Sequence, residues 1–471
     1  MFDVLDRRTG LTTNQIKILI AAIIGDALEF FDYFLIGFVL AFIVKPWQLT
    51  WGSSALVLLS SGVGAILGAG FWGWLADRIG RRKVFIATVL NFSLATGCLA
   101  LTPDHGLSYL IAFRFLVGLG VGGLYCVDLP LVQEFMPASR RGLIGGLVTA
   151  CIPIGVMIGA LLGGYLAPVV GWRGLFAVGL LPAVLTLLIR AWVPESPRWL
   201  LRQGRAEEAR RSLAWALQVP PESLPLPAPP QVAAPPIAWT ELFRYPRSVL
   251  VSWLPNLGVQ TAGYGITLWA PTLFMMQLGV SAAEAAKTFS WLALSSFLGR
   301  ITFSYLSESI GRRTSGVLIG LVGAGFVCAA GLLHDQMLGT LSVFVLCLVL
   351  GDFFHSGGWA VIGPYSAEVW PAHLRATGMG SAYGFGGIGK IIGPLGLALI
   401  AGSSDVIKPQ ASLDAIVPAF LYFAAWLVLA GGAYALFGFE TKGRSIEAID
   451  DAMQSGDARA PIGIGSAIRA K

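Results

Sequence analysis

WLADRIGRR, residues 74 to 82, returns as YLSESIGRR at 305 to 313, which sets Asp77 against Glu308, Gly80 against Gly311 and Arg81 against Arg312. A second stretch, PLVQEFMPASRRG at 130 to 142, returns as PYSAEVWPAHLRATG at 364 to 378, matching Glu134 with Glu368 and Pro137 with Pro371. The offsets, 231 and 234 positions, agree closely. Two unrelated motifs repeated at one spacing indicate duplication of a large unit rather than shared composition.

The nature of the unit follows from composition. Hydrophobic residues make up 55% of the chain, charged residues 12%, and the mean hydropathy is +0.73; a soluble domain carries roughly 25% charged residues. A bilayer core is crossed by about 20 apolar residues. Apolar runs of that order fall at about 16–44, 54–76, 84–102, 107–135, 141–168, 172–193, 247–275, 285–306, 314–333, 338–366, 376–402 and 413–438. The expectation is an all-α polytopic membrane protein of twelve spans, six in each pseudo-symmetric half. The first run is too long for a cleavable signal and lacks a small-residue cleavage site, so it is expected to stay in the protein.

The net charge of +6 would suggest a nucleic-acid partner in a soluble chain, but here the basic residues crowd alternate gaps. DRIGRRK, ASRRG, the stretch from Glu195 to Arg247, ESIGRR and the surroundings of Arg375 are basic; the intervening gaps hold little beyond Lys45, Arg173 and Lys408. By the positive-inside rule both termini are cytoplasmic. The domain reading is an N-terminal half at 1–193, a cytoplasmic linker at 194–246, a C-terminal half at 247–440 and a tail at 441–471. Within the linker, PESPRWLLRQGRAEEARRSL has the pattern of short amphipathic surface helices, and VPPESLPLPAPPQVAAPP that of an extended spacer. Cys98, Cys126, Cys151, Cys328 and Cys347 all lie in apolar runs without metal-ligand spacing, so neither disulfide nor metal is implied.

GWLADRIGRR between spans 2 and 3, RFLVGLGVGG in span 4, PESPRWLL after span 6 and FETKGRS after span 12 resemble the signature motifs of the major facilitator superfamily, in its sugar-porter and metabolite:proton-symporter branches. The resemblance runs over nearly the whole chain. GYGITLWAPTLF in span 7 and LEFFDYFLIG in span 1 are more similar to bacterial organic-acid and nicotinate-type symporters; where sugar porters carry paired glutamines, span 7 reads GVQTAGYG, with a single Gln260. The resemblance implies a monomeric proton-coupled symporter of an inner or plasma membrane, importing a small organic acid by alternating access without a cofactor. A sugar or polyol porter is the second reading, and a membrane receptor that binds a metabolite without moving it the third. No nucleophile–base motif, metal cluster or phosphate loop points to an enzyme.

Charges inside the spans are the candidate machinery, because each is costly there. Asp26, Glu29 and Asp32 lie on one stripe of span 1, and Arg114 in span 4 sits at the depth of Asp32. Facing each other, Asp32 and Arg114 form either a proton-carrying pair, the role such positions hold in the resembled branch, or a fixed salt bridge. Asp128 has no evident partner. Lys390 in span 11 needs a counter-ion, which Asp352 of span 10 or a substrate carboxylate supplies, and His355 is either a proton-exchanging group or a hydrogen-bonded packing residue. Asn256, Gln260 and Tyr264 in span 7, with Trp359 and Tyr383, complete a pocket suited to a flat ring. On the cytoplasmic side Asp77, Arg81, Glu134 and Arg141, with Glu308, Arg312, Glu368 and Arg375, either latch the halves together or serve as topology signals. Gly155, Gly159 and Gly163 in span 5 and Gly384, Gly386, Gly389 and Gly393 in span 11 supply faces for close helix approach.

Overall fold

The computed structural model describes residues 2–8, 10–137, 140–226, 239–371, 374–402 and 409–442. Most of the Pro-rich spacer, most of the tail and the side chain of Arg141 lie outside the described residues.

After a short helix α1 (Phe2–Asp6), the first membrane helix is α2 (Thr13–Ile43). Thr12 starts it: its side chain accepts from the Gln15 amide at 3.1 Å, and the Gln15 side chain accepts from the Thr12 amide at 2.9 Å. This reciprocal cap satisfies donors that a helix start otherwise leaves orphaned. There follow α3 (Trp51–Ile79), α4 (Arg81–Leu99) and α5 (Leu107–Glu134). The fifth span is segmented into α6 (Arg141–Ala150), α7 (Ile152–Leu161) and a π-helical turn at Leu162–Leu166. The next helix, α8 (Ala167–Val178), breaks at Gly171, where φ is 73°. That break, open to a residue without Cβ, turns the chain into the sixth span, which α9 (Pro182–Trp192) completes.

The second half repeats the plan with α12 (Pro246–Gln277), α13 (Ala282–Ile310), α14 (Arg312–Leu332), α15 (Val343–Glu368), α16 (Arg375–Gly387), α17 (Gly389–Ala401) and α18 (Pro409–Phe437). The tenth span starts later than its apolar run, because Met337–Leu338 pairs antiparallel with Leu341–Ser342 around Gly339 before the helix begins. Between the halves α10 (Pro197–Arg202) and α11 (Ala206–Leu217) are amphipathic. With Leu5 of α1 they bury a small separate core of Trp199, Leu200, Leu213 and Leu217 on the face that carries the chain ends.

Among the described residues six helical segments are long and apolar enough to cross a membrane by length and composition. The long helices outside that set include α2, α12 and α13, which carry the buried polar groups Asp26, Glu29, Asp32, Gln260 and Arg300. Those three helices contribute to the site together with α7, α15 and α17.

The halves pack closely on the face away from the chain ends. Trp51 of α3 and Trp269 of α12 pack at 5.0 Å between ring centres, each at most 1% exposed. A Cβ on Gly37 would lie 2.8 Å from the Leu268 carbonyl oxygen, which shows how closely α2 and α12 approach there. Of the glycine faces expected in spans 5 and 11, Gly155 lies against the Ala27 backbone of α2, and Gly389 and Gly393 against Thr261 of α12.

Candidate functional site

Three residues along a helix rotate a side chain by about 60° the short way round. The acids of α2 therefore fan out rather than share one surface, and each meets a different neighbour. Asp26 is hydrogen-bonded to Asp128 of α5, the residue left without a partner by sequence. A hydrogen bond between two carboxyl groups exists only while one of them holds a proton, since an ionised carboxylate cannot donate. Glu29 lines a small cavity with Tyr33, Tyr264, Tyr383 and Lys390. Asp32 points to α4, where Thr96 donates to its Oδ2 at 2.7 Å.

Arg114 sits beside Asp32 but bonds its main chain: one guanidinium nitrogen donates to the Asp32 carbonyl at 3.2 Å, another to the Tyr33 carbonyl at 2.7 Å. Among the described residues no ion pair joins the two side chains. Neither residue lines either cavity.

Of the two counter-ions expected for Lys390, Asp352 is not its neighbour. The Lys390 ammonium lies 5.2 Å from the Tyr264 ring centre and 5.8 Å from that of Tyr383, in the cavity with Glu29 and within that acid's electrostatic reach. Asp352 belongs to a different cavity. That larger space lies between the halves: α2 and α7 contribute Phe30, Phe34, Ile152 and Val156, and the C-terminal half contributes Tyr264, Ser296, Arg300, Asp352, His355 and Trp359. Phe30 and Tyr264 line both spaces. The Tyr264 ring stacks on Phe34 at 5.6 Å and 20°, and meets Tyr33 edge-on at 5.5 Å.

Arg300 is a charged cavity residue that the sequence reading passed over. It is 8% exposed, lies 5.8 Å from the Trp359 ring centre, and donates to the Thr149 carbonyl across the interface between halves. A guanidinium in the middle of an apolar run was itself the signal that could have found it. Two expected pocket residues lie elsewhere. Asn256 donates to the Ser252 carbonyl at 2.8 Å and the Ser366 hydroxyl at 3.0 Å, tying α12 to α15, and Gln260 reaches the Tyr383 carbonyl at 3.5 Å against Gly386.

On the chain-end face, among the described residues, the acid–base pairs stay within a half or join it to the linker. Arg81 meets Glu134 at 3.2 Å and Arg202 meets Asp77 at 3.9 Å; Arg312 pairs with Glu308 at 2.7 Å and with Glu368. Arg375 donates to the Ala367 carbonyl at 3.0 Å. Glu195 and Glu440, in the PESPR and FETKG motifs, carry equivalent tasks that the sequence did not reveal. The Glu195 carboxylate accepts from the Arg82 amide at 3.1 Å; Glu440 accepts from the Arg312 amide at 2.8 Å and the Arg313 amide at 3.2 Å. Each thus caps the positive N-terminus of the third helix of its half, and the two halves repeat in geometry as in sequence.

Two six-helix halves around a cavity that holds a few charged and polar side chains among apolar ones define a membrane transporter of the major facilitator type. The chain belongs to the sugar (and other) transporter family, whose profile it matches over residues 17–453. It is 32% identical over 434 residues to the niacin transporter NiaP of Acinetobacter baylyi, covering 90% of this chain and 94% of that one. It is 28% identical over 438 residues to the putative niacin/nicotinamide transporter NiaP of Bacillus subtilis, covering 92% and 98%. The xylose transporter XylE from E. coli, in a partially occluded inward open conformation, superposes with a TM-score of 0.70 at 19% identity over 92% of this chain and 100% of that one, a likeness of fold.

Proposed function

We propose that this transporter is a proton-coupled symporter that imports a small organic acid carrying a flat ring, by alternating access across the inner (plasma) membrane, with both chain ends in the cytoplasm. One observation carries the reading: the cavity between the halves holds the Arg300 guanidinium among the aromatic faces of Phe34, Tyr264 and Trp359. A guanidinium matches a carboxylate in charge and in fork geometry, and the aromatic walls match a ring. The relatives named for niacin, a pyridine carboxylic acid, support the same chemistry. A sugar needs several hydroxyl partners, and the α12 amide Asn256 is committed to helix contacts instead.

Alternating access rests on the packing. The Trp51–Trp269 contact closes the outer face, and the charged clusters, each within one half or joining it to the linker, leave the cytoplasmic face without an ionic bridge between halves among the described residues. Segments 1–193 and 247–440 are the proposed moving bodies, joined by 194–246. For the proton, Asp32, held by Thr96 beside Arg114, is the proposed carrier of the N-terminal half. The test is uptake into proteoliposomes with an imposed inward proton gradient. Labelled niacin is expected to accumulate and xylose not to; accumulation of xylose alone would replace this reading by that of a sugar porter.

A further inference from the structure

The larger cavity contains a side-chain pair whose hydrogen-bond bookkeeping requires a proton. His355 Nε2 lies 3.0 Å from the Val259 carbonyl oxygen. A carbonyl only accepts, so Nε2 carries the hydrogen and Nδ1 is the variable position. Nδ1 lies 3.4 Å from Asp352 Oδ1. The other carboxylate oxygen of Asp352 accepts from the Ser296 hydroxyl, and Ser296 in turn meets Ser356 at 2.6 Å. In the fully deprotonated state two lone pairs would face each other across the Nδ1–Oδ1 contact. A single proton, on either atom, turns that contact into a hydrogen bond and makes the pair neutral overall; its loss leaves one negative charge and no reason for the contact to persist.

We propose that Asp352 and His355 form a proton-binding site of the C-terminal half, which takes up a proton as a carboxylate docks on Arg300. The surroundings fix both parts. On α12 the site meets the Val259 carbonyl, Gly263 and Tyr264; on α13, Ser296 and Arg300; on α15 itself, Ser356 and Trp359; on α14, Gly323; on α2 and α7 the facing groups are Phe30, Phe34, Ile152 and Val156. Arg300 is the charged neighbour in this cavity among the described residues; Asp26 of α2 and the Cys151 thiol lie within its electrostatic reach, and Glu29 and Lys390 line the smaller cavity. A deprotonated pair competes with an incoming carboxylate for the field of Arg300; a protonated pair does not. Proton and carboxylate binding therefore strengthen each other, and the strengthening is reciprocal. Gly263 holds the geometry: a Cβ there would sit 2.5 Å from the imidazole Cε1 and Nε2, so only glycine lets the ring reach the Val259 carbonyl.

The docking half of this proposal rests on the carboxylate reading above, and the experiment separates the two. Niacin binding to the purified full chain is measured by titration calorimetry in two buffers of different ionisation enthalpy, which counts protons taken up. The wild type is expected to take up as much as one proton per niacin, with affinity falling by up to about ten-fold per pH unit as the pair deprotonates. Asp352→Asn keeps a donor toward Nδ1 but holds no removable proton, so the pair's share of the uptake is expected to vanish, leaving any share of Asp32, and the affinity to depend less steeply on pH. Gly263→Ala, which alters no titratable group, is expected to reduce uptake by displacing the ring. Asp104→Asn, in an outer loop, serves as the control. Wild-type uptake in Asp352→Asn overturns the proposal. Should the wild type bind no niacin, the carboxylate reading fails, and ¹⁵N-histidine NMR of the unliganded protein decides the proton site by itself. The His355 signal, identified by its absence in His355→Gln, is expected to keep a protonated Nε2 while Nδ1 changes with pH. An Nδ1–H tautomer, or a signal constant from about pH 5 to about pH 9, overturns it.

Discussion

Two basic side chains inside the membrane look alike in sequence and differ in surroundings. Arg300 faces the space between the halves, whereas Lys390 shares its cavity with Glu29. A hydrogen bond to a charged group contributes about 1.5–3 kcal/mol, so Arg300→Ala is expected to weaken niacin binding roughly 10- to 100-fold. Lys390→Ala is expected to change it less than about threefold. Equilibrium binding to both purified variants checks the contrast, and equal losses would return Lys390 to the substrate site. The Asp26–Asp128 contact gives a second expectation at this scale. Asp128→Ala leaves a buried carboxyl without its partner, at a cost of about 1–3 kcal/mol, while Asp128→Asn restores a donor and most of the stability. Thermal unfolding in detergent should rank the variants in that order below the wild type.

At the scale of the element, the repeated turn between the second and third helices of each half depends on a backbone that glycine adopts. Gly80 has φ 109° and Gly311 φ 99°, and a Cβ at either would lie under 2.5 Å from the capping carboxylate, Glu195 or Glu440. Such conformations cost other residues about 1–3 kcal/mol. Gly80→Ala and Gly311→Ala are expected to lower the melting temperature by similar amounts because the two turns are copies. Gly73→Ala, with open space around it, should not. Glu195→Gln removes the charge but not the acceptor, and should cost about 0.3–1 kcal/mol.

For the whole molecule, the contact of Trp51 with Trp269 is expected to decide which face of the cavity is reachable. In a chain whose native cysteines are replaced by serine, Ile152→Cys places a thiol on the cavity wall. It should resist a membrane-impermeant reagent added outside intact cells, and react once Trp51→Ala and Trp269→Ala are combined with it. Labelling unaffected by the two tryptophan changes would show that the outer closure lies elsewhere.

The sequence by itself determined the membrane class, the twelve runs, the duplication and the cost of every charge placed within a span, because apolar length and motif spacing are properties of the chain in order. It determined that Asp26, Glu29, Asp32, Arg114, Asp352, His355 and Lys390 needed partners. Which partners they have was decided only by the tertiary structure. Asp128 meets Asp26 from another helix, Thr96 takes Asp32, Arg114 takes two carbonyls, and Lys390 and Asp352 end in different cavities. The physical reason is rotation: depth along a helix follows from counting residues, but the direction of a side chain, and the helix it meets, depend on how all the helices pack. Arg300 shows the same limit from the other side, as a residue whose position in span 8 was plain and whose place between Trp359 and the opposite half was not.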